Sequence, residues 1–280
     1  MQAQDPSKII GPLDVIIRAM AESHGLDISC FDDAFLRTTI SRRLAASGIT
    51  TVAAYGERLE KSASEAGMLM QSLRIDHSDF FRNPLTFAVL EQLVLPGIAE
   101  QKTKSGGEIR VWSAGCASGQ ESWSLAMLLE ELTGPVPYRI FATDLSDPDK
   151  ARAGVYSAEA VANVRARHLT KYFSAQSGAF SIVPRLRDRV DFSAHDLLDS
   201  SSASPAASIY GGFDLILCCN VLFYYRPEAR QRILDKVARS LSPGGYFVTG
   251  EVERAMVSAH RVFRAVLPPA AVFRMTNVSP

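Results

Sequence analysis

The 280-residue chain is 47% hydrophobic and 21% charged, with 30 Lys and Arg against 30 Asp and Glu and so a formal net charge of zero. A chain of this kind is globular and can bury a sizeable core, as one large domain or as two. Its neutrality argues against an extended nucleic-acid footprint, which needs a surplus of Lys and Arg on one face.

The cysteines, Cys30, Cys116, Cys218 and Cys219, form no CxxC pair. They read as reduced, buried thiols rather than a disulfide framework or a zinc site. The opening MQAQDPSKIIGPLDV lacks the pattern of a signal peptide. No apolar run approaches the roughly 20 residues that span a bilayer, so the expectation is a cytoplasmic protein, without membrane insertion.

Residues 8–75 carry helical spacing. Ile9, Leu13, Ile16, Ile17 and Met20 recur with that period, then Phe35, Leu36, Ile40 and Leu44, then Met68, Leu69 and Leu73. Gly48 is the expected stop of the helix that contains Leu44. After Pro84 short apolar strands alternate with helices: EIRVWSA then ESWSLAMLLEEL, YRIFATD then DPDKARAGV, FDLILCCNV then PEARQRILDKVARSL, and finally GGYFVTGE. That alternation predicts βαβ units and a mostly parallel sheet. The stretch GAFSIVPRLRDRVDF, 178–192, reads as a small antiparallel insertion, and DSSSASPAASIYGG, 199–212, as a surface connection.

In an open α/β sheet, ligands bind beyond the carboxyl ends of the strands. Four such ends are legible: the turn from Gly115 to Glu121, Asp144 after YRIFATD, Asp196 in VDFSAHDLL, and Asn220 in LILCCNVLFYY. Taken singly, the glycines are a tight turn and Asp144 a helix cap. The turn offers G-x-x-x-G, not the G-x-G-x-x-G of a dinucleotide fingerprint, and lacks the Gly-Lys-Ser/Thr of a P-loop. Such a turn suits a ligand without pyrophosphate, S-adenosylmethionine among them. His77 between Asp76 and Asp79 has no distant His or Cys partner in view, so no metal is expected.

The segments RIDHSDFFRNP, VWSAGCASGQESWSLAMLL, FATDLSDPDKARAGVY, VDFSAHDLL and FDLILCCNVLFYY occur in the order found in the CheR family of chemotaxis receptor methyltransferases. The resemblance covers essentially the whole chain. It implies a helical domain over 1–76, then a Rossmann-like class I methyltransferase domain over 77–280 with a small antiparallel β insertion at about 165–192. It also implies S-adenosylmethionine as cofactor, S-adenosylhomocysteine as product, and methyl esterification of glutamates on chemoreceptor cytoplasmic helices by a monomer. Two alternatives stand beside it: a methyltransferase of the same fold acting on another protein or a small molecule, and a non-catalytic cofactor-binding adaptor.

Carried over by motif, the resemblance implies cofactor contacts from Asp76, Ser78, Arg82, Gly115, Glu121, Asp144, Asp196, Leu197, Asn220 and Val221. Arg82 and Tyr224 are the candidate catalytic pair, and Glu253 stands for the Glu of a G-H-S-E motif. The chain departs from the family with Asp76 and Ser78 for Asn and Thr, with GQES for GEEP, and with Cys219 for Arg. Arg37, Arg42 and Arg43 are candidate receptor-docking residues. Residues 1–76 hold 8 Lys and Arg against 10 Asp and Glu, so any basic patch is local. Arg37 and Arg42 lie about 140° apart on an ideal helix.

The reaction asks for few catalytic side chains. A glutamate, with a reference pKa of about 4.3, is already ionised at neutral pH and needs no general base. The task is alignment of oxygen, methyl carbon and sulfur.

Overall fold

Local signals in the sequence set the starts of three helices of the amino-terminal region. Asp32 caps the helix α2, Asp33–Ser47, by accepting from the N–H groups of Ala34 and Phe35, and Gly48 closes it at φ +70°. Thr51 caps α3, Val52–Lys61, and Ser62 caps α4, Ala63–Leu73. With α1, Leu13–His24, these helices enclose a core that includes Ile16, Met20, Leu36, Ile40, Tyr55, Leu59 and Leu69. The computed structural model describes residues 13–74, 77–132, 136–145, 148–208 and 212–276.

The chain divides into two compact units, one of Met1–Ile75 with Phe223–Gln231, the other of Asp76–Leu222 with Arg232–Pro280. The first is thus joined by a short segment from far along the chain. Phe31 and Tyr225 form a β-bridge within it, and their rings stack at 5.2 Å.

The second unit opens with α5, Pro84–Val89, which continues through a π-helical turn at Leu90–Val94 into α6, Leu95–Ser105. The large sheet follows: β1 Ile109–Ala114, β2 Tyr138–Asp144, β6 Val190–Ala194, β7 Phe213–Cys218, β8 Leu241–Thr249, β9 Phe263–Ala265 and β10 Val272–Met275. Among the described residues its order is β6-β2-β1-β7-β8-β10-β9. The first five run parallel, and β10 lies antiparallel to both β8 and β9. The helices between them are α7, Gln120–Glu130, α8, Asp149–Ala153, and α11, Pro227–Ser240, with the short α12, Arg254–Ser258, after β8. Central strands read as near-continuous apolar runs because both faces are covered: Val111, Ile140, Leu215, Ile216 and Leu217 are all buried. The α/β class expected from the sequence is the one found.

A second, three-stranded antiparallel sheet pairs β5, Ala179–Ile182, with β3, Val155–Ser157, and β4, Phe173–Gln176. It draws its first strand from ahead of the expected 165–192 range. Helix α9, Ala166–Tyr172, lies inside that range, α10, Pro184–Arg187, follows β5, and Val190 onward belongs to the large sheet. Val155–Ser157 escaped notice because a three-residue strand carries too little alternation to read.

Candidate cofactor and active site

The strand order reverses at β1, whose neighbours β2 and β7 lie on opposite sides. The crevice at such a switch point is where doubly wound sheets take their ligands, and the turns after β1 and β7 flank it.

In the turn after β1, Gly115 has φ +75° and Gly119 φ +89°, the left-handed region that favours glycine. A Cβ on Gly115 would lie 2.6 Å from Val221 Cγ2, and one on Gly119 2.7 Å from Ala151 Cβ. The turn is fastened to β2. Gly115 and Cys116 N–H both donate to the Thr143 carbonyl, at 2.8 and 2.9 Å, and Ala117 N–H donates to Asp144 Oδ2 at 2.9 Å. Asp144 Oδ1 accepts from Leu145 N–H at 2.8 Å.

Glu121 stands in the first turn of α7. Ser113 Oγ donates to its Oε1 at 2.8 Å, Ser122 Oγ donates to Ser113 Oγ at 3.0 Å, and the Cys219 thiol, which contacts the Val248 carbonyl at 3.9 Å, lies near the same carboxylate. Burial, with the nearby Glu253 charge, pushes Glu121 above the usual carboxylate range, while Cys219, Ser113 and the Arg82 guanidinium oppose the shift. Burial also raises the Cys116, Cys218 and Cys219 thiols well above their usual value, so they stay protonated and are poor nucleophiles.

After β7 the chain turns through Asn220 at φ +61°. One carboxylate holds this turn. Glu253, fully buried, accepts from Asn220 N–H at 2.8 Å, Leu222 N–H at 2.6 Å, Gly250 N–H at 2.8 Å and Thr249 Oγ1 at 2.7 Å. Asn220 Oδ1 is buried and has no hydrogen-bond partner among the described residues. A buried acceptor left unmet at a switch point marks a place for a ligand donor.

Phe81 has φ +52°, its N–H donates to Ser124 Oγ at 3.1 Å, and its ring stacks on His168 at 5.4 Å. Phe81, Ala117 at φ +46° and Asn220 are left-handed non-glycine residues, and each belongs to a segment that carries candidate site residues. Strained backbone of that kind concentrates at functional sites. Arg82 follows Phe81 and is exposed, and Ser78 is partly buried. Asp196 is exposed with its Oδ1 accepting Leu198 N–H at 2.8 Å, and Leu197 is buried. Asp76 lies outside the described residues.

The remaining candidates belong to the helical unit. Tyr224 packs on Phe35 at 4.7 Å and on Phe223 at 4.1 Å, and its carbonyl accepts from Asp32 N–H at 2.8 Å. Arg42 is exposed and Arg37 partly buried. Arg43 departs from the docking expectation: its Nε and Nη2 both donate to Glu65 Oε1, at 3.0 and 2.6 Å. Tyr55 Oη donates to the same oxygen at 2.8 Å. Arg43 is therefore a structural residue that neutralises a buried carboxylate.

His77 pairs with Asp79 at 3.4 Å on the surface, and among the described residues no group of three or more His, Cys, Asp and Glu could hold a metal. No helix there is long and apolar enough to cross a membrane.

Sequence reasoning missed Ser113, Ser122 and Ser124 as site residues. Part of their signal was present, since Ser113 lies between buried Trp112 and Ala114, and Ser124 between buried Trp123 and Leu125. It also gave Cys219 no role toward Glu121, because nothing in the spacing brings a residue 98 positions later beside that carboxylate.

The fold and the site define a doubly wound α/β protein with a glycine turn at its switch point, a carboxylate in the first turn of α7, an acidic residue at the end of β2, and no lysine in the turn after β1. A family model described as CheR methyltransferase, SAM binding domain, matches residues 76–271. The chain is 32% identical over 241 residues to a chemotaxis protein methyltransferase of Listeria monocytogenes, covering 85% of this chain and 88% of that one. It is 34% identical over 212 residues to chemotaxis protein methyltransferase 1 of Pseudomonas aeruginosa, covering 71% and 74%. It is 30% identical over 282 residues to an uncharacterized 104.1 kDa protein in the hypE 3′ region of Rhodobacter capsulatus, covering 95% of this chain but spanning only 28% of that relative. The chain belongs to the CheR methyltransferase family.

Proposed function

We propose that the protein transfers a methyl group from S-adenosylmethionine to glutamate side chains on the cytoplasmic helices of a chemoreceptor, forming methyl esters in the cytoplasm. The observation that carries this reading is the meeting of Gly115, Glu121 and the unmet Asn220 amide oxygen at the switch point. These features fit an amino-acid-bearing nucleoside. Glu121 takes the ligand ammonium, Gly115 lets Val221 close against the turn, Asp144 accepts from the ribose hydroxyls, and Asp196 with Leu197 meets the adenine. Asn220 and Val221 wall the far side, and Ser78 lines the approach.

The sulfonium supplies an electrophilic methyl carbon when the cofactor is bound. Arg82 orients a carboxylate at the mouth of the site. No side chain needs to remove a proton, since the acceptor glutamate is ionised at neutral pH. Orientation supplies most of the rate, and a desolvated crevice favours a step in which opposite charges cancel.

The test has two stages. Calorimetry with S-adenosylhomocysteine is expected to give micromolar-range binding that Asp144→Ala removes. Labelled methyl transfer to receptor cytoplasmic fragments is then expected to give a base-labile product. Binding without transfer to any receptor fragment overturns the receptor assignment in favour of an adaptor or a methyltransferase of another substrate, and no binding by the folded protein overturns the cofactor assignment.

A further inference from the structure

One face of α11 is polar where a core helix would be apolar. Arg232, Lys236 and Ser240, each about one helical turn from the next, all reach the loop that follows β6. Arg232 Nη2 donates to the Leu198 carbonyl at 2.8 Å. Lys236 Nζ donates to the carbonyls of Asp196 and Asp199 at 3.2 and 2.6 Å. Ser240 Oγ lies 2.8 Å from the Ala203 carbonyl.

Lys236 is the unusual member. It is only 4% exposed, and burial lowers its pKa against the opposing pull of Asp199 and Asp196. A buried ammonium is costly unless its donors are met, and here two of the three are met by backbone carbonyls of a single loop. The other end of that loop is tied to β2, where His195 N–H donates to the Asp144 carbonyl at 2.7 Å.

We propose that Lys236 is a positioning residue for the purine end of the cofactor, holding the turn 196–199 so that Asp196 faces the 6-amino group. This rests on the reading that Asp196 and Leu197 meet the adenine. A 6-amino purine donates at that position and a 6-oxo purine accepts, so a loop held with its acceptor in place separates the two. Release of the Asp196 and Asp199 carbonyls lets the turn relax and removes that discrimination.

The experiment compares calorimetric binding of S-adenosylhomocysteine and S-inosylhomocysteine to the wild type, Lys236→Met, Arg232→Met and, as a control, Asp144→Ala. In Lys236→Met the affinity for S-adenosylhomocysteine is expected to fall about tenfold, with its advantage over the inosine analogue collapsing toward one. Asp144→Ala is expected to remove binding of both ligands alike. A folded Lys236→Met that keeps the wild-type ratio, or a wild type that binds both ligands equally, overturns the proposal. If Lys236→Met does not fold, the exposed Arg232→Met decides, with a roughly threefold fall in the ratio expected and an unchanged ratio overturning it. Loss of both ligands in the folded wild type is a different result, and removes the cofactor reading itself.

Discussion

Gly115 and Val221 meet across the switch point with no room for one more carbon: a Cβ on Gly115 would lie 2.6 Å from Val221 Cγ2. Gly115 also holds φ +75°, so Gly115→Ala adds about 1–2 kcal/mol of backbone strain to the clash. Calorimetry is expected to show S-adenosylhomocysteine binding weakened more than tenfold. Adding Val221→Ala removes the clash but not the strain, so the double variant should recover part of the affinity and little of the thermal stability.

Glu121 places function and stability in opposition. Burial raises its pKa, so the folded state holds this proton more tightly than the unfolded chain does. Its contribution to stability is therefore greatest at low pH and declines as pH rises through the raised value. Ligand binding runs the other way, because an ammonium group needs the ionised carboxylate. Glu121→Gln is expected to raise the Tm of the ligand-free protein at neutral pH and to weaken S-adenosylhomocysteine about 10- to 100-fold, the range of a charged hydrogen bond. Wild-type affinity should fall as pH is lowered through the Glu121 titration, and the variant should lose that limb. A variant that binds as well as wild type at pH 7 would remove Glu121 from the site.

Glu253 organises the turn after β7 rather than touching ligand. Glu253→Ala leaves the buried N–H groups of Asn220, Leu222 and Gly250 without the acceptor they now share. Each such loss costs about 1–3 kcal/mol, so the urea midpoint is expected to drop sharply. Glu253→Gln keeps an acceptor oxygen and should lose much less.

Arg42 and Arg43 are adjacent yet unlike. Arg43→Glu sets a second carboxylate beside Glu65 and is expected to lower stability by about 3–5 kcal/mol, the scale of a broken buried ion pair. Arg42→Glu leaves that pair intact and should leave Tm and S-adenosylhomocysteine affinity unchanged. If the exposed face of α2 docks the receptor, Arg42→Glu slows methyl transfer, read as a raised KM for the receptor fragment. An unchanged KM would remove Arg42 from any docking surface.

Much of this was legible in the sequence for a physical reason: buried parallel strands, capping residues and glycine turns each impose a local pattern. Gly48 marks the end of α2 where the chain has it, and Asp144 ends β2 where its apolar run stops. What escaped depends on pairings made across long separations. Arg43 looks like any surface arginine until Glu65, two helices later, is folded against it. Lys236 sits on an ordinary amphipathic helix, and only the loop across from it gives its burial a purpose. The π-helical turn at Leu90–Val94 left no mark either, since its apolar residues read as part of one continuous helix.

The dependence of the Asn220 turn on Glu253 has a consequence for synthesis. Chains leave the ribosome from the amino end and begin to fold as they emerge. Gly115, Glu121 and Asp144 are made well before the carboxylate that fixes the Asn220 turn, and β10, which flanks β8, is made later still. A nascent chain stalled before Glu253 has most of its parallel strands but lacks the acceptor for that turn. The turn is then completed only once residue 253 has emerged, so a chain stalled before it should be recognised by quality control as unfinished rather than persist as a weak binder.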